Sequence, residues 1–123
     1  MLKKESIDRL TAQLALKATG HEQDWEIELA DAARINDFLA AYHDQLLCIE
    51  DRRALMALVL ASADEYVSKE GQVPEEWTRI AQLLSQEEGL HREAIAYWKR
   101  EGENDPEGWF SLTPHMRKLS AAR

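Results

Sequence analysis

The residues best suited to metal chemistry are one Glu88-x-x-His91 pair and two carboxylate pairs, Glu28 with Asp31 and Asp64 with Glu65. A three-residue step on a helix puts both side chains on one face, which is how di-iron bundles present their Glu-x-x-His ligands. Such bundles need two of these pairs and two further glutamates, but His21, His43 and His115 have no Glu three residues before them. Glu88 and His91 therefore read as residues that cap and line a helix start. The carboxylate pairs could hold magnesium in an all-α nucleotide pyrophosphohydrolase, although they do not reproduce a paired Glu-x-x-Glu and Glu-x-x-Asp arrangement. A small carboxylate-metal hydrolase is thus the enzyme alternative. Cys48 follows His43 by five residues, but no glycine-rich elbow surrounds it, and it reads as a small core residue. Phosphate-cradling glycine loops and zinc-type cysteine pairs are absent. The sequence assigns no catalytic residue, no metal ligand and no cofactor, and the expectation is a protein that is not an enzyme.

Charge carries more information. Residues 21–51 hold nine carboxylates (Glu22, Asp24, Glu26, Glu28, Asp31, Asp37, Asp44, Glu50 and Asp51) against one base, Arg34. That excess equals the formal net charge of the whole chain, −8, and the remaining acids and bases cancel. A single-sign field attracts a basic partner and repels nucleic acid and anionic membrane. Arg52-Arg53 and Lys99-Arg100 are isolated basic pairs, not the stripe that nucleic-acid binding needs. If the segment is one helix, Glu22, Glu26, Asp37 and Asp44 fall in a narrow sector opposite Ile35, Leu39 and Tyr42, forming an outward acidic ridge. If the helix starts later, Glu28 and Asp31 would be closer flanking contacts. A purely solvating face usually mixes signs in stabilising pairs, so this nearly unopposed run points to a basic protein partner.

The elements that must position these acids are helical throughout. Ile7, Leu10 and Leu14 predict a first helix over about residues 3–19, ended by Gly20. Ala32, Ile35, Leu39, Tyr42 and Leu46 predict a second, reaching about residue 47. Trp25, Ile27 and Leu29 alternate as in a strand, but without a partner strand they favour continuation of that helix from an Asp24 cap. Asp51 is expected to cap a third helix over about residues 52–69, apolar on every side from Ala54 to Ala61 and hence central to a bundle. Pro74 opens a fourth with Trp77, Ile80, Leu83 and Leu84 on one face, followed by Gly89. A fifth spans about residues 90–100, with Ala94, Ile95 and Trp98 inward and Gly102 behind it. Asp105-Pro106 and Thr113-Pro114 are two more cap and first-turn pairs, the second starting a terminal helix with Met116 and Leu119. Trp109 and Phe110, between these pairs, either dock onto the core or anchor a partner.

The expected fold is therefore an all-α bundle of five to seven helices. At 123 residues, 45% apolar and 31% charged, the chain fits a single domain over residues 1–123. Its longest uncharged apolar stretch, Ala54 to Ala63, is ten residues, about half of what a membrane span needs. The lone Cys48 cannot form an internal disulfide, and no apolar run follows Lys3-Lys4, so a cytoplasmic location is expected.

Three stretches within residues 77–117, Trp77-x-x-Ile80-x-x-Leu83-Leu84, His91-x-x-x-Ile95-x-Tyr97-Trp98 and Glu107-x-Trp109-Phe110-x-Leu112-Thr113-Pro114-x-Met116-Arg117, carry a further signal. Their pattern resembles bacterial immunity proteins that neutralise polymorphic toxins of the contact-dependent inhibition or Rhs type. The resemblance implies a small cytoplasmic protein without enzymatic activity that binds a cognate toxin domain and occludes a surface the toxin needs. The acidic segment lies outside these stretches, so the binding residues proposed there rest on charge alone. An interaction subunit of a larger assembly would need the same acidic surface on a helical scaffold.

Overall fold

The computed structural model describes residues 2–44 and 47–121. Leu46, placed in the second apolar series, lies outside the described residues. The described residues form seven α-helices and two single-turn 3-10 segments, with no strand. The helices are α1 (Lys4–Gln13), α2 (Trp25–Glu28), α3 (Ile35–Tyr42), α4 (Ile49–Glu70), α5 (Trp77–Gln86), α6 (Arg92–Lys99) and α7 (Thr113–Ala121). The 3-10 turns are Ala32–Arg34 and Pro106–Gly108. The chain divides into two compact units, Met1–Ser62 and Ala63–Arg123, and α4 runs continuously from one into the other. No helix among the described residues is long and apolar enough to cross a membrane.

In the first unit, α1 stops well before Gly20. Ala15 adopts a left-handed conformation (φ 51°), Leu16 N–H bonds Thr11 O at 2.9 Å, and Ala15 N–H bonds Ala12 O at 3.3 Å. This paired closure usually recruits glycine, so an alanine here gave no warning of the helix end. The single helix expected over residues 24–47 is also interrupted. Asp31 is extended (φ −148°, ψ 104°), its Oδ1 accepts the Ala33 N–H at 2.9 Å, and its own N–H donates to Ser62 Oγ at 3.0 Å. A short acidic side chain that bonds nearby backbone offers the chain an alternative to the helical ladder. Trp25, Ile35, Phe38, Leu39 and Tyr42 are buried, as are Leu10 and Leu14 of the first segment.

Helix α4 starts at Ile49, so Asp51 does not cap it but sits in its first turn, 4% exposed. Its run from Ala54 to Ala63 is buried at every position except the half-buried Ala57, as expected from its all-round apolar surface. Full burial of a Leu, Val or Met side chain is worth about 2 kcal/mol of transfer free energy, so each such side chain of α4 contributes on that order.

In the second unit, Ile80, Leu83 and Leu84 of α5, Ile95 and Trp98 of α6, and Met116 of α7 are buried, and α6 packs against α7. Pro74 initiates a turn rather than α5 itself: Trp77 N–H bonds Pro74 O at 3.0 Å and the helix proper begins at Trp77. The expected end of α6 at Gly102 also comes early. Arg100 takes the left-handed position (φ 53°), with Arg100 N–H bonded to Tyr97 O and Glu101 N–H to Ala96 O. Asp105 caps the turn at Pro106–Gly108 by accepting the Glu107 N–H at 3.0 Å, as the Asp-Pro pair indicated.

Candidate functional site

Because α2, the 3-10 turn and α3 are separate elements, the acids of residues 21–51 do not share one helical face. Glu22 precedes α2 and Asp44 follows α3, so the continuous ridge through Glu22, Glu26, Asp37 and Asp44 is not formed. Several of the acids are instead held individually by hydrogen bonds or ion pairs. Glu22 Oε2 accepts the Thr19 N–H and hydroxyl at 2.7 and 2.8 Å, and Oε1 accepts the Gly20 N–H at 3.2 Å. Gly20 sits at φ 89°, a conformation that a side chain would disfavour. The Thr19 bonds, with that of Gly20, hold the Glu22 carboxyl below the ordinary carboxylate range.

Further along, Glu28 accepts the Asp24 N–H at 2.9 Å, so the carboxylate, not Asp24, closes the start of α2. Asp31 caps the following 3-10 turn, Asp37 pairs with Arg34 at 3.0 Å, and Asp44 accepts from Gln13 Nε2 at 3.4 Å. Glu26 is half-buried and makes no hydrogen bond or ion pair among the described residues. Each local bond occupies part of a carboxylate and leaves its charge facing solvent. The arrangement can present ordered negative charge.

Set among these acids is Ile27, 40% exposed, between Glu26 and Glu28. On a one-turn helix, residues two apart point about 200° apart, so Trp25 and Ile27 cannot both enter the core. Trp25 does: it is 3% exposed and its indole N–H donates to Thr11 Oγ1 at 3.1 Å. The alternation Trp25-Ile27-Leu29 already contained this outcome once the segment was taken as helical.

The candidate metal ligands are spent elsewhere. Asp64 Oδ1 accepts the Leu112 N–H at 2.8 Å, and burial pushes its carboxyl above the usual carboxylate pKa. Glu65 pairs with Lys69 at 3.1 Å, while Glu28 and Asp31 cap the turns just described. Among the described residues, no three His, Cys, Asp or Glu side chains converge as a metal-ligating group. His91 lines the start of α6 as its wholly buried N-cap residue, without a side-chain cap hydrogen bond, while Glu88 is exposed.

Cys48 is exposed rather than a core residue. Its sulfur lies 3.7 Å from Arg9 Nη2, at the edge of an ion pair that sequence reading missed. Arg9 reaches Asp51 with Nη2–Oδ1 at 2.7 Å and Nε–Oδ2 at 3.1 Å, a two-pronged contact across 42 residues. The Arg9 guanidinium holds the Asp51 carboxyl below its ordinary range, and Asp51 in turn raises the Arg9 pKa. No local spacing signals such a pair.

At the other end of the chain, Trp109 and Phe110 dock back. Trp109 Nε1 donates to Glu103 O at 3.0 Å under the Arg117 guanidinium, 4.2 Å from the ring centre. Phe110 packs on Tyr97 and Trp98 with ring centres 5.2 and 5.1 Å away. Both aromatics nevertheless remain half-buried. Comparison with known proteins adds nothing to these observations: no family model, no curated protein and no solved structure matches the chain.

Proposed function

We propose that this chain is a small acidic binding protein whose residues 21–51 engage a basic protein surface, in the manner of an immunity protein neutralising a toxin domain. The observation that carries the reading is the concentration of nine carboxylates against one base in that segment. Two features support it. Glu22, Glu28, Asp31 and Asp37 are held by local bonds and Asp44 by Gln13 from α1, which lowers the ordering cost of meeting a partner. Ile27 adds an exposed apolar contact inside the acidic field, the pattern of an anchor with a charged rim. The toxin as partner rests on the resemblance of residues 77–117, and the bacterial cytoplasm is the compartment this reading implies. The reaction-free role follows from binding alone: the protein acts by occlusion.

Rim charge acts mainly on the association rate. The test is the chain carrying Glu22→Gln, Glu26→Gln, Asp37→Asn and Asp44→Asn, mixed in stopped flow with a basic partner identified by affinity capture. Association should slow by roughly tenfold or more at low salt, and the difference should shrink as salt rises. An unchanged rate across that salt series removes these acids from the interface.

A further inference from the structure

We propose that the turn around α2 is the anchoring element of the acidic surface, with Ile27 entering an apolar socket of a protein partner that lysine or arginine side chains border. The inference rests on the reading above and narrows it to residues 22–31. Ion pairing divides the nine carboxylates of the segment. Asp37 pairs with Arg34 at 3.0 Å, Glu50 with Arg53 at 3.8 Å and Asp51 with Arg9 at 2.7 Å. Glu22, Asp24, Glu26, Glu28 and Asp31 form no ion pair with Lys or Arg among the described residues, and residues 18–33 contain neither base. The uncompensated charge is therefore concentrated on the stretch that carries Ile27.

The same comparison sets Ile27 apart from the other exposed apolar side chains. Ile27 is 40% exposed and lies between Glu26 and Glu28, neither of which has a countercharge among the described residues. Ile49 instead adjoins Glu50, which pairs with Arg53, and Tyr97 lies against Phe110, whose ring holds the Arg100 guanidinium. The turn that displays Ile27 is also fixed before any partner arrives. Glu28 N–H bonds Asp24 O at 2.9 Å, Leu29 N–H bonds Trp25 O at 3.0 Å, and the buried Trp25 is tied to Thr11 through its indole. An apolar side chain on an ordered turn inside a one-sign field fits a partner that covers it with an apolar wall and meets the rim with cations. Nucleic acid and anionic lipid carry the wrong sign. A basic face without a socket would balance the carboxylates but leave the isoleucine against hydrated charge, so charge alone does not complete the match.

The test is a titration of the 15N-labelled full chain at low salt with two twelve-residue peptides, each carrying four lysines in glycine and differing only in leucine or serine at two positions between the lysines. Saturable amide shifts centred on residues 24–30 are expected from both. The leucine peptide should bind about fivefold tighter, the gain expected from covering a side chain that is already more than half buried. Ile27→Ser should bring the leucine peptide down to the affinity of the serine peptide and leave the latter unchanged, whereas Glu26→Gln should weaken both alike. The comparison of the two peptides on the parent chain stands even if Ile27→Ser fails to fold. Equal affinity of the two peptides for the parent, with shifts in residues 21–51, would overturn the anchor and leave the acidic-segment reading standing. A leucine preference that survives Ile27→Ser would overturn the assignment to Ile27. Shifts from neither peptide in residues 21–51 would overturn both.

Discussion

The acidic segment and the C-terminal loop solve the same problem with different mixtures of bonds. Both must order irregular backbone without regular hydrogen bonding. Over residues 19–37, carboxylates bond groups two to four positions away: Glu22 to Thr19 and Gly20, Glu28 to Asp24, Asp31 to Ala33, Asp37 to Arg34. Over residues 98–113, local bonds such as that from the Glu107 N–H to Asp105 are joined by others from afar. Arg117 reaches back 14 to 18 residues to three carbonyls, and Asp64 reaches Leu112 across 48. Local acidic caps leave their charge at the surface, where a partner can use it. Long-range clamps bury their polar groups against backbone and leave aromatic rings as the accessible material. The two regions thus offer different kinds of contact because they are ordered by different kinds of bond.

The sharpest way to break the contrast is Arg117→Ala. It removes three charge-assisted bonds to backbone carbonyls and the cover over Trp109, and should cost about 3 kcal/mol in denaturant unfolding. Lysine at this position should recover little, since its ammonium cannot fork to separated carbonyls. A loss within 0.5 kcal/mol would mean that the loop is ordered by packing alone.

Asp51→Asn comes next, because it severs a long-range ion pair of the first unit. Asp51 is nearly inaccessible, but the Arg9 side chain is 53% exposed, so the expected loss is about 2 kcal/mol, below that for a wholly buried pair. The folded-state pKa of Asp51 is depressed, so its contribution is present above the unfolded carboxyl pKa near 4 and is lost as pH falls through the lower folded value. Urea midpoints measured from pH 7 down to pH 2 should fall less steeply for the variant than for the parent. Parallel curves would show that the pair contributes no acid sensitivity.

The smallest effect belongs to Ala15→Gly. Ala15 holds φ 51° at the closure of α1, and glycine removes that steric penalty, so the variant should gain about 0.5–1 kcal/mol even though glycine usually destabilises. A lower melting temperature would show that the alanine methyl packs better than its backbone conformation costs.

How much of this was legible depended on the range of the forces involved. The all-round apolar surface of α4, the inward face of α5 and the Asp105-Pro106 cap could be read directly, because each is set by side chains within a turn or two of one another. The break after Glu28 was not, since Asp31 bonds Ser62 as well as its own turn. Nor were the ends of α1 and α6, where Ala15 and Arg100 take conformations that sequence rules reserve for glycine. The acids of the candidate surface could be named from sequence, but their geometry could not, because a ridge exists only if one helix carries all of them.

The amino-acid sequence by itself determined that this protein is helical and that one short segment holds its net charge. Both follow from periodicity and composition, which are local properties of the chain. Only the tertiary structure decided that Asp51 is buried on Arg9, that Asp64 holds Leu112 and that Arg117 closes the aromatic loop. Those contacts join residues 14 to 48 positions apart, and folding brings them together through burial of apolar faces whose own pattern does not specify which polar groups will meet.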